Sequence, residues 1–194
     1  NFEEIQELLE AQIVHPQQPL ALTFQKLQLD NVETLKQVLA ALEQYTNIQH
    51  LNFAHSKVGA QGCEVLASYL LNNNTEVCEL DLTCCNIDDA AAEHLGKALS
   101  NLPRLRELVL SHNKITADGV GCLTVGLKNH SRAFQLHLDN NPVKRQGAEL
   151  IYGLACSNRN LAFIGITCPS DVKEKIDIQI RSNNQTAQLT RELY

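Results

Sequence analysis

Three side chains that could hold a metal or attack a substrate, His55, Cys84 and His112, follow one another at steps of 29 and 28 residues. Imidazole nitrogen and thiolate sulfur are both zinc ligands, and a thiol beside an imidazole is a nucleophile beside its base. Four carboxylates fall in the same repeats: Glu79 and Glu107 are 28 apart, Asp81 follows Glu79 by two residues, and Asp139 lies 28 past Ser111. Groups one step apart meet only if the chain itself repeats. The chemistry therefore depends on the elements that carry these residues.

The chain does repeat. Around the pattern Leu-x-x-Leu-x-Leu-x-x-(Asn/Cys)-x-(Ile/Val), the second leucine falls at Leu22, Leu51, Leu80, Leu108 and Leu136, followed by Ile164. In the clearest unit, Leu108 and Leu110 alternate with Glu107, Val109 and Ser111, the period of two of a strand with one buried face. From Gly119 onward Val120, Leu123 and Leu127 share one side at helical spacing. Neither face can be covered within one unit, so stacking of units must complete the core. The other units keep these positions: Ile48, Leu51, Phe53, Ser56, Val58; Val77, Leu80, Leu82, Cys85, Ile87; and Ala133, Leu136, Leu138, Asn141, Val143. The first and last units are degenerate, with Leu27 and Pro169 at the Asn-type position, as terminal repeats are.

This pattern resembles the ribonuclease-inhibitor type of leucine-rich repeat over roughly residues 19–169. The resemblance implies an α/β solenoid, a right-handed horseshoe with parallel strands on its concave face and helices on its convex face. It also implies that Cys85, Asn113 and Asn141 hydrogen-bond to the backbone of neighbouring coils, where the inward bend leaves buried amides in need of partners. Related arrays occur in ribonuclease inhibitor, nucleotide-sensing immune receptors, tropomodulin-like actin regulators, and effectors that intracellular bacteria inject into host cells. The small, ragged, Asn- and Gln-rich array is nearest in style to the last of these. Restraint of other domains in a larger receptor, or binding to the cytoskeleton, are the alternatives.

With strands stacked about 4.8 Å apart, equivalent residues form columns on the inner wall. One runs Ala21, His50, Glu79, Glu107, Gln135, Phe163; the next Thr23, Asn52, Asp81, Val109, His137, Gly165. A third runs Gln25, Ala54, Thr83, Ser111, Asp139, Thr167, and a fourth Lys26, His55, Cys84, His112, Asn140, Cys168. The candidate partner-binding residues are His50, Asn52, His55, Glu79, Asp81, Glu107, Val109, His112, His137 and Asp139. Such an acidic wall would steer a partner's basic patch toward it. Side chains in a straight column diverge, and Asn140 is a poor fourth ligand, so His55, Cys84 and His112 are not read as a metal site. Nothing in the sequence supplies an oxyanion hole for a Cys–His pair. We expect no enzyme, no metal and no cofactor.

Composition agrees with a binding domain. A 194-residue chain with 44% apolar residues can bury one continuous core. A net charge of −6 argues against nucleic acid and anionic membrane as partners, and no apolar run reaches the roughly 18 residues of a membrane span. Seven cysteines without a framework of spacings favour a reducing compartment, the cytosol, including that of a host cell after secretion. Three Asn-x-Ser/Thr triplets, at Asn73, Asn129 and Asn184, are read as chance matches. A chain that starts at Asn1 and contains no Met is expected to be a fragment or processed product.

At the ends, Phe2, Ile5, Leu8 and Leu9 predict an amphipathic capping helix within residues 1–18, stopped by His15-Pro16. Val172, Ile176 and Ile180 predict a second cap within 170–194, a helix followed by a short stretch from Thr186 to Tyr194. Asp88-Asp89 reads as a helix-start pair, and Lys144-Arg145 as a solvated turn that with Lys114 makes a small basic rim. The whole is expected to be one monomeric domain.

Overall fold

The computed structural model describes residues 2–15, 18–27, 29, 31–72 and 76–193, with side chains from 5 to 190. Phe2, Pro16, the Asn73 triplet and Tyr194, all invoked above, lie outside the described side chains. Strand and helix alternate along the whole chain. A capping helix α1 (Phe2–Gln12) precedes β1 (Leu20–Thr23), α2 (Val32–Leu42), β2 (Ile48–Asn52), α3 (Gly59–Asn72), β3 (Glu79–Asp81) and α4 (Asp89–Leu99). Then come β4 (Glu107–Val109), α5 (Ala117–Leu127), β5 (Phe134–Leu138), α6 (Lys144–Ser157), β6 (Leu161–Ile166) and α7 (Ser170–Leu193). The six strands form one parallel sheet in sequential order, β1 to β6. Consecutive parallel strands require a crossover between them, and each helix supplies it.

Burial follows the sequence period. Leu22, Leu51, Leu80, Leu108 and Leu136 are at most 1% exposed, as are Phe53, Leu82, Leu110 and Leu138 one alternate position later. Helix residues such as Leu66, Leu95, Leu123 and Ile151 meet them from the convex side. Phe24 and Phe53 stack with ring centroids 5.2 Å apart and fill the amino-terminal coils. One expected core position is corrected: Ala133 is exposed, and Phe134 is buried instead. Phe134 shares the period of two of Leu136 and Leu138 along β5, which turns the larger side chain inward.

Just past each of the strands β1 to β5 the chain turns through a residue with positive φ: Lys26 (61°), His55 (63°), Cys84 (54°), His112 (59°) and Asn140 (58°). This left-handed region suits Gly and Asn and strains other residues. It bends the chain toward the core while keeping backbone pairing: His55 N–H donates to Thr83 O (2.8 Å), Cys84 N–H to Ser111 O (3.1 Å) and His112 N–H to Asp139 O (2.8 Å).

Behind the turn runs a ladder of buried polar side chains. Asn113 Nδ2 donates to Leu82 O (2.8 Å) and Leu110 O (2.9 Å), and its Oδ1 accepts from Cys85 N–H and Ile87 N–H (both 3.0 Å). Asn141 repeats this, donating to Leu110 O (2.8 Å) and accepting from Ile115 N–H (3.0 Å). Cys85 Sγ reaches Phe53 O (2.9 Å), as the family resemblance implies. Ser56 extends the ladder, donating to Phe24 O (2.6 Å) and accepting from Leu27 N–H (3.2 Å).

Helices α4 and α5 pack closely because both are glycine at the crossing. A Cβ on Gly96 would lie 2.5 Å from the Cys122 carbonyl, and one on Gly126 would run into the Gly96 carbonyl. Asp88 caps α4 by accepting from Ala91 N–H (2.9 Å). Its neighbour Asp89 does something the expected helix-start pair does not include. Its carboxylate crosses to the next helix, accepting from Thr116 N–H (2.8 Å), Thr116 Oγ1 (2.7 Å) and Gly119 N–H (3.0 Å).

The last helix is also longer than the sequence reading. α7 continues through Thr186 instead of ending before it. Nothing from Asn183 to Leu193 is Gly or Pro, and Thr186 and Thr190 hydroxyls bond carbonyls one turn back (2.9 Å each). Val172, Ile176 and Ile180 face the core. Lys144 and Arg145 open α6, and of the expected basic rim Arg145 is not a free cation: it pairs bidentately with Asp171 (2.7 and 2.9 Å) and holds that carboxyl below its ordinary range.

Candidate functional site

The strand register sets the wall. His50 lies beside Glu79, Glu79 beside Glu107 and Glu107 beside Gln135; Asn52, Asp81, Val109 and His137 form the adjacent column. The selected residues on the strands, with Asp139 just past β5, are all half-buried and face the concave side. His55 and His112 are exposed in the left-handed turns, at the rim rather than on the wall.

Two histidines moderate the acidic surface. His50 Nδ1 is 2.5 Å from Glu79 Oε2, and His137 Nε2 is 3.2 Å from Glu107 Oε1. The second contact is close but poorly aligned, so His137 Nε2 is buried without a proper hydrogen bond. The column beside them is fixed by its own turns. Asn52 Oδ1 accepts from Ala54 N–H (2.9 Å), while Asp81 Oδ1 accepts from Thr83 N–H (2.9 Å) and Thr83 Oγ1 (2.7 Å). Asp81 is thus held in place before any partner arrives.

These side chains surround a shallow trough of about 300 Å³, with Val109 in its floor and His50, Asn52, Glu79, Asp81 and Glu107 around it. A second hollow, about 480 Å³, lies at the far end of the wall beside Phe163, Gly165, Asp139, Lys173, Asp177 and Arg181. Phe163 is 44% exposed and packs on His137 with centroids 4.9 Å apart. This aromatic end was not among the selected residues. Its column position is legible, but Lys173, Asp177 and Arg181 reach it from α7, which no repeat pattern places there. A larger hollow, about 760 Å³, is off the wall, between α7 and the turns entering β5 and β6. It carries a single charged side chain, Arg159, so the wall is the stronger candidate on electrostatic grounds.

The groups first considered for chemistry do not converge. Among the described residues no three His, Cys, Asp or Glu side chains are placed to hold a metal. In the fourth column His112 Nε2 instead meets Asn140 Nδ2 at 3.1 Å. Burial pushes the Cys85 thiol up to about 11 and raises Cys63 further, so neither is available as a thiolate. His130, the remaining buried imidazole, has a structural role. Its Nε2 bonds Leu105 O (2.7 Å), its ring packs on Phe134, and burial lowers its pKa.

A sequential parallel sheet backed by one helix per strand defines a repeat solenoid with an open concave wall. The "Leucine Rich repeat" family matches residues 45–67, 73–96 and 102–123. Pig ribonuclease inhibitor is 28% identical over 128 residues, 66% of this chain and 27% of that protein. Human NACHT, LRR and PYD domains-containing protein 5 is 25% identical over 137 residues, 70% of this chain and 11% of that protein. The chain therefore spans about a quarter or less of the length of these relatives. Two solved structures share the fold end to end. Leiomodin-1 Actin-Binding Site 2 has a TM-score of 0.60 at 16% identity, covering 99% of this chain and 94% of that one. The Caenorhabditis elegans tropomodulin C-terminal domain has a TM-score of 0.58 at 14% identity, covering 100% and 99%. The chain is a leucine-rich repeat protein, with repeats like those of ribonuclease inhibitor.

Proposed function

We propose that this chain is a protein-binding module, not an enzyme, and that its concave wall receives a basic surface of a partner protein. The observation that carries this reading is the run of half-exposed carboxylates Glu79, Asp81 and Glu107 on neighbouring strands around a trough, with Asp139 further along the same wall beside the second hollow. Held by the sheet, they need no reorganisation to meet Lys or Arg side chains, which keeps the cost of binding low. The partner's approach is steered by charge and weakens as salt rises. The working compartment in this reading is the cytosol, which seven free thiols fit.

The test is affinity capture from eukaryotic cytosol with the unmodified chain and a Glu79→Lys/Asp81→Lys/Glu107→Lys variant of equal melting temperature, followed by titration of the captured protein against salt. A partner lost by the variant and weakened by salt supports the wall. A partner held equally by both moves the site elsewhere.

The end-to-end likeness to leiomodin-1 and tropomodulin domains favours actin as a second reading. Binding of the purified chain to actin monomers or filament ends would support it; no effect on either would remove it.

A further inference from the structure

The concave wall changes character along its length. Toward β3 and β4 it is acidic: Glu79, Asp81 and Glu107 surround the trough, moderated by His50 and His137. The hollow at the β6 end is different. One side of it is apolar, made by Phe163, Ile166 and Ile180, and the other carries Lys173, Asp177 and Arg181 from α7. The α7 charges answer one another: Lys173 Nζ is 2.5 Å from Asp177 Oδ1, and Arg181 Nε donates to the Asp177 carbonyl (3.2 Å). Asp139 leans over Gly165, where a Cβ would collide with its carboxylate. Two carboxylates and two cations leave this hollow without net charge. Phe163 is, among the described residues, the one exposed large apolar side chain carried by a strand; the others lie on helices or just past α1. Its ring is already seated against His137, so little freedom is lost when a partner packs on it.

We propose that the wall reads one partner segment at two unlike points, a Lys or Arg in the acidic trough and an aromatic or large aliphatic side chain against Phe163. This rests on the protein-binding reading above and adds the second half of what the partner must carry. The trough's uncompensated carboxylates select a cation. The hollow's charges are already paired among themselves, so its exposed ring and buried isoleucines select an apolar group, with the charged side as a polar rim around it. The sheet sets the separation: β3 and β4 lie two to three strand spacings from β6, about 10–14 Å. An extended segment crossing the strands covers that distance in roughly three or four residues.

Selection of a random twelve-residue peptide library on the immobilised 194-residue chain tests this. Enriched peptides are expected to carry Lys or Arg and, three or four residues away, an aromatic, Leu or Met. Phe163→Ala should then bind such a peptide at least about tenfold more weakly. Ile178→Ala, which removes an exposed apolar side chain that does not line the hollow, should not. Glycine in place of the peptide's apolar residue should weaken binding to the unmodified chain as much, and to Phe163→Ala no further. The glycine peptide needs no altered protein, so the test holds even if Phe163→Ala folds poorly. Peptides with basic residues but no apolar preference, lost by Glu79→Lys/Asp81→Lys/Glu107→Lys and kept by Phe163→Ala, overturn this inference and leave the acidic wall standing. Binding that survives the triple variant overturns the acidic reading on which it rests. A library with no enriched peptide overturns the two-point segment as well.

Discussion

The buried turn ladder and the concave wall are only a few residues apart in each coil, yet they obey different rules. Asn113 and Asn141 are 8% and 7% exposed, and their amides bond the backbone of two adjacent coils. On the wall, Glu79 and Glu107 lean on histidines, His50 and His137, and remain partly in water. The ladder position is Ser, Cys, Asn and Asn in successive repeats, always a side chain able to reach a carbonyl. The first wall column runs Ala, His, Glu, Glu, Gln, Phe, with no common chemistry. The backbone dictates the ladder. It leaves the wall free to vary with whatever the wall must bind.

That contrast is broken most directly at Asn113. Asn113→Ala strips partners from buried donors at Cys85 and Ile87 and from the Leu82 carbonyl, and should lower stability by about 3–4 kcal/mol. Urea unfolding with an unchanged m-value is the measurement. A loss near that of a surface substitution would mean the coils are held by apolar packing alone. The Glu79→Lys/Asp81→Lys/Glu107→Lys wall variant should change stability by less than about 1 kcal/mol in the same experiment.

Asp89 comes next in size. Its carboxylate supplies the amino terminus of α5 from the preceding helix, so Asp89→Ala should cost about 2 kcal/mol. Because Asp88 caps α4 locally, Asp88→Ala should leave α5 intact. Hydrogen exchange at Thr116 and Gly119 separates the two: only loss of Asp89 should expose those amides. His130 gives a smaller, pH-dependent effect. Burial lowers its pKa in the folded state, so the unfolded chain takes up the proton first. Its neutral-form stability is present above the ordinary imidazole value of 6.5 and is lost as pH falls through the lower folded value. His130→Gln, keeping a donor for Leu105 O, should flatten the melting temperature over that interval.

The same contrast explains what sequence reading could reach. The strands, helices, ladder residues Cys85, Asn113 and Asn141, and the wall columns all recur at 28 or 29 residues. Stacking then turns recurrence into contact. Contacts made once were not legible: Asp89 to Thr116, Arg145 to Asp171, Gln12 to Thr23, and the approach of α7 to Phe163. Each depends on where a long side chain ends after the coils have stacked. The burial of Phe134 in place of Ala133 was hidden for a related reason. The repeat period placed Ala133 inside, but the larger apolar side chain gains more from burial.

The smallest predicted effect lies at the rim, where the turn's demands and the wall's freedom meet. His55, Cys84 and His112 share a column and a strained left-handed backbone, and the two histidines are exposed while Cys84 is half-buried. Glycine adopts that region without the Cβ clash, worth roughly 1–2 kcal/mol per residue, but gives back about 0.5–1 kcal/mol through its looser unfolded chain. His55→Gly should therefore be neutral or stabilising by up to about 1.5 kcal/mol, a rise of at most roughly 3–6 °C in Tm for a chain this size. Glu107→Gly, on a strand with ordinary φ, carries only the penalty and should lower Tm. The two substitutions should thus have opposite signs. If His55→Gly is destabilising, the imidazole supports the fold, and the rim belongs with the ladder. If it is not, and the partner captured by the unmodified chain is lost, His55 is held in a strained turn for binding, and the rim belongs with the wall.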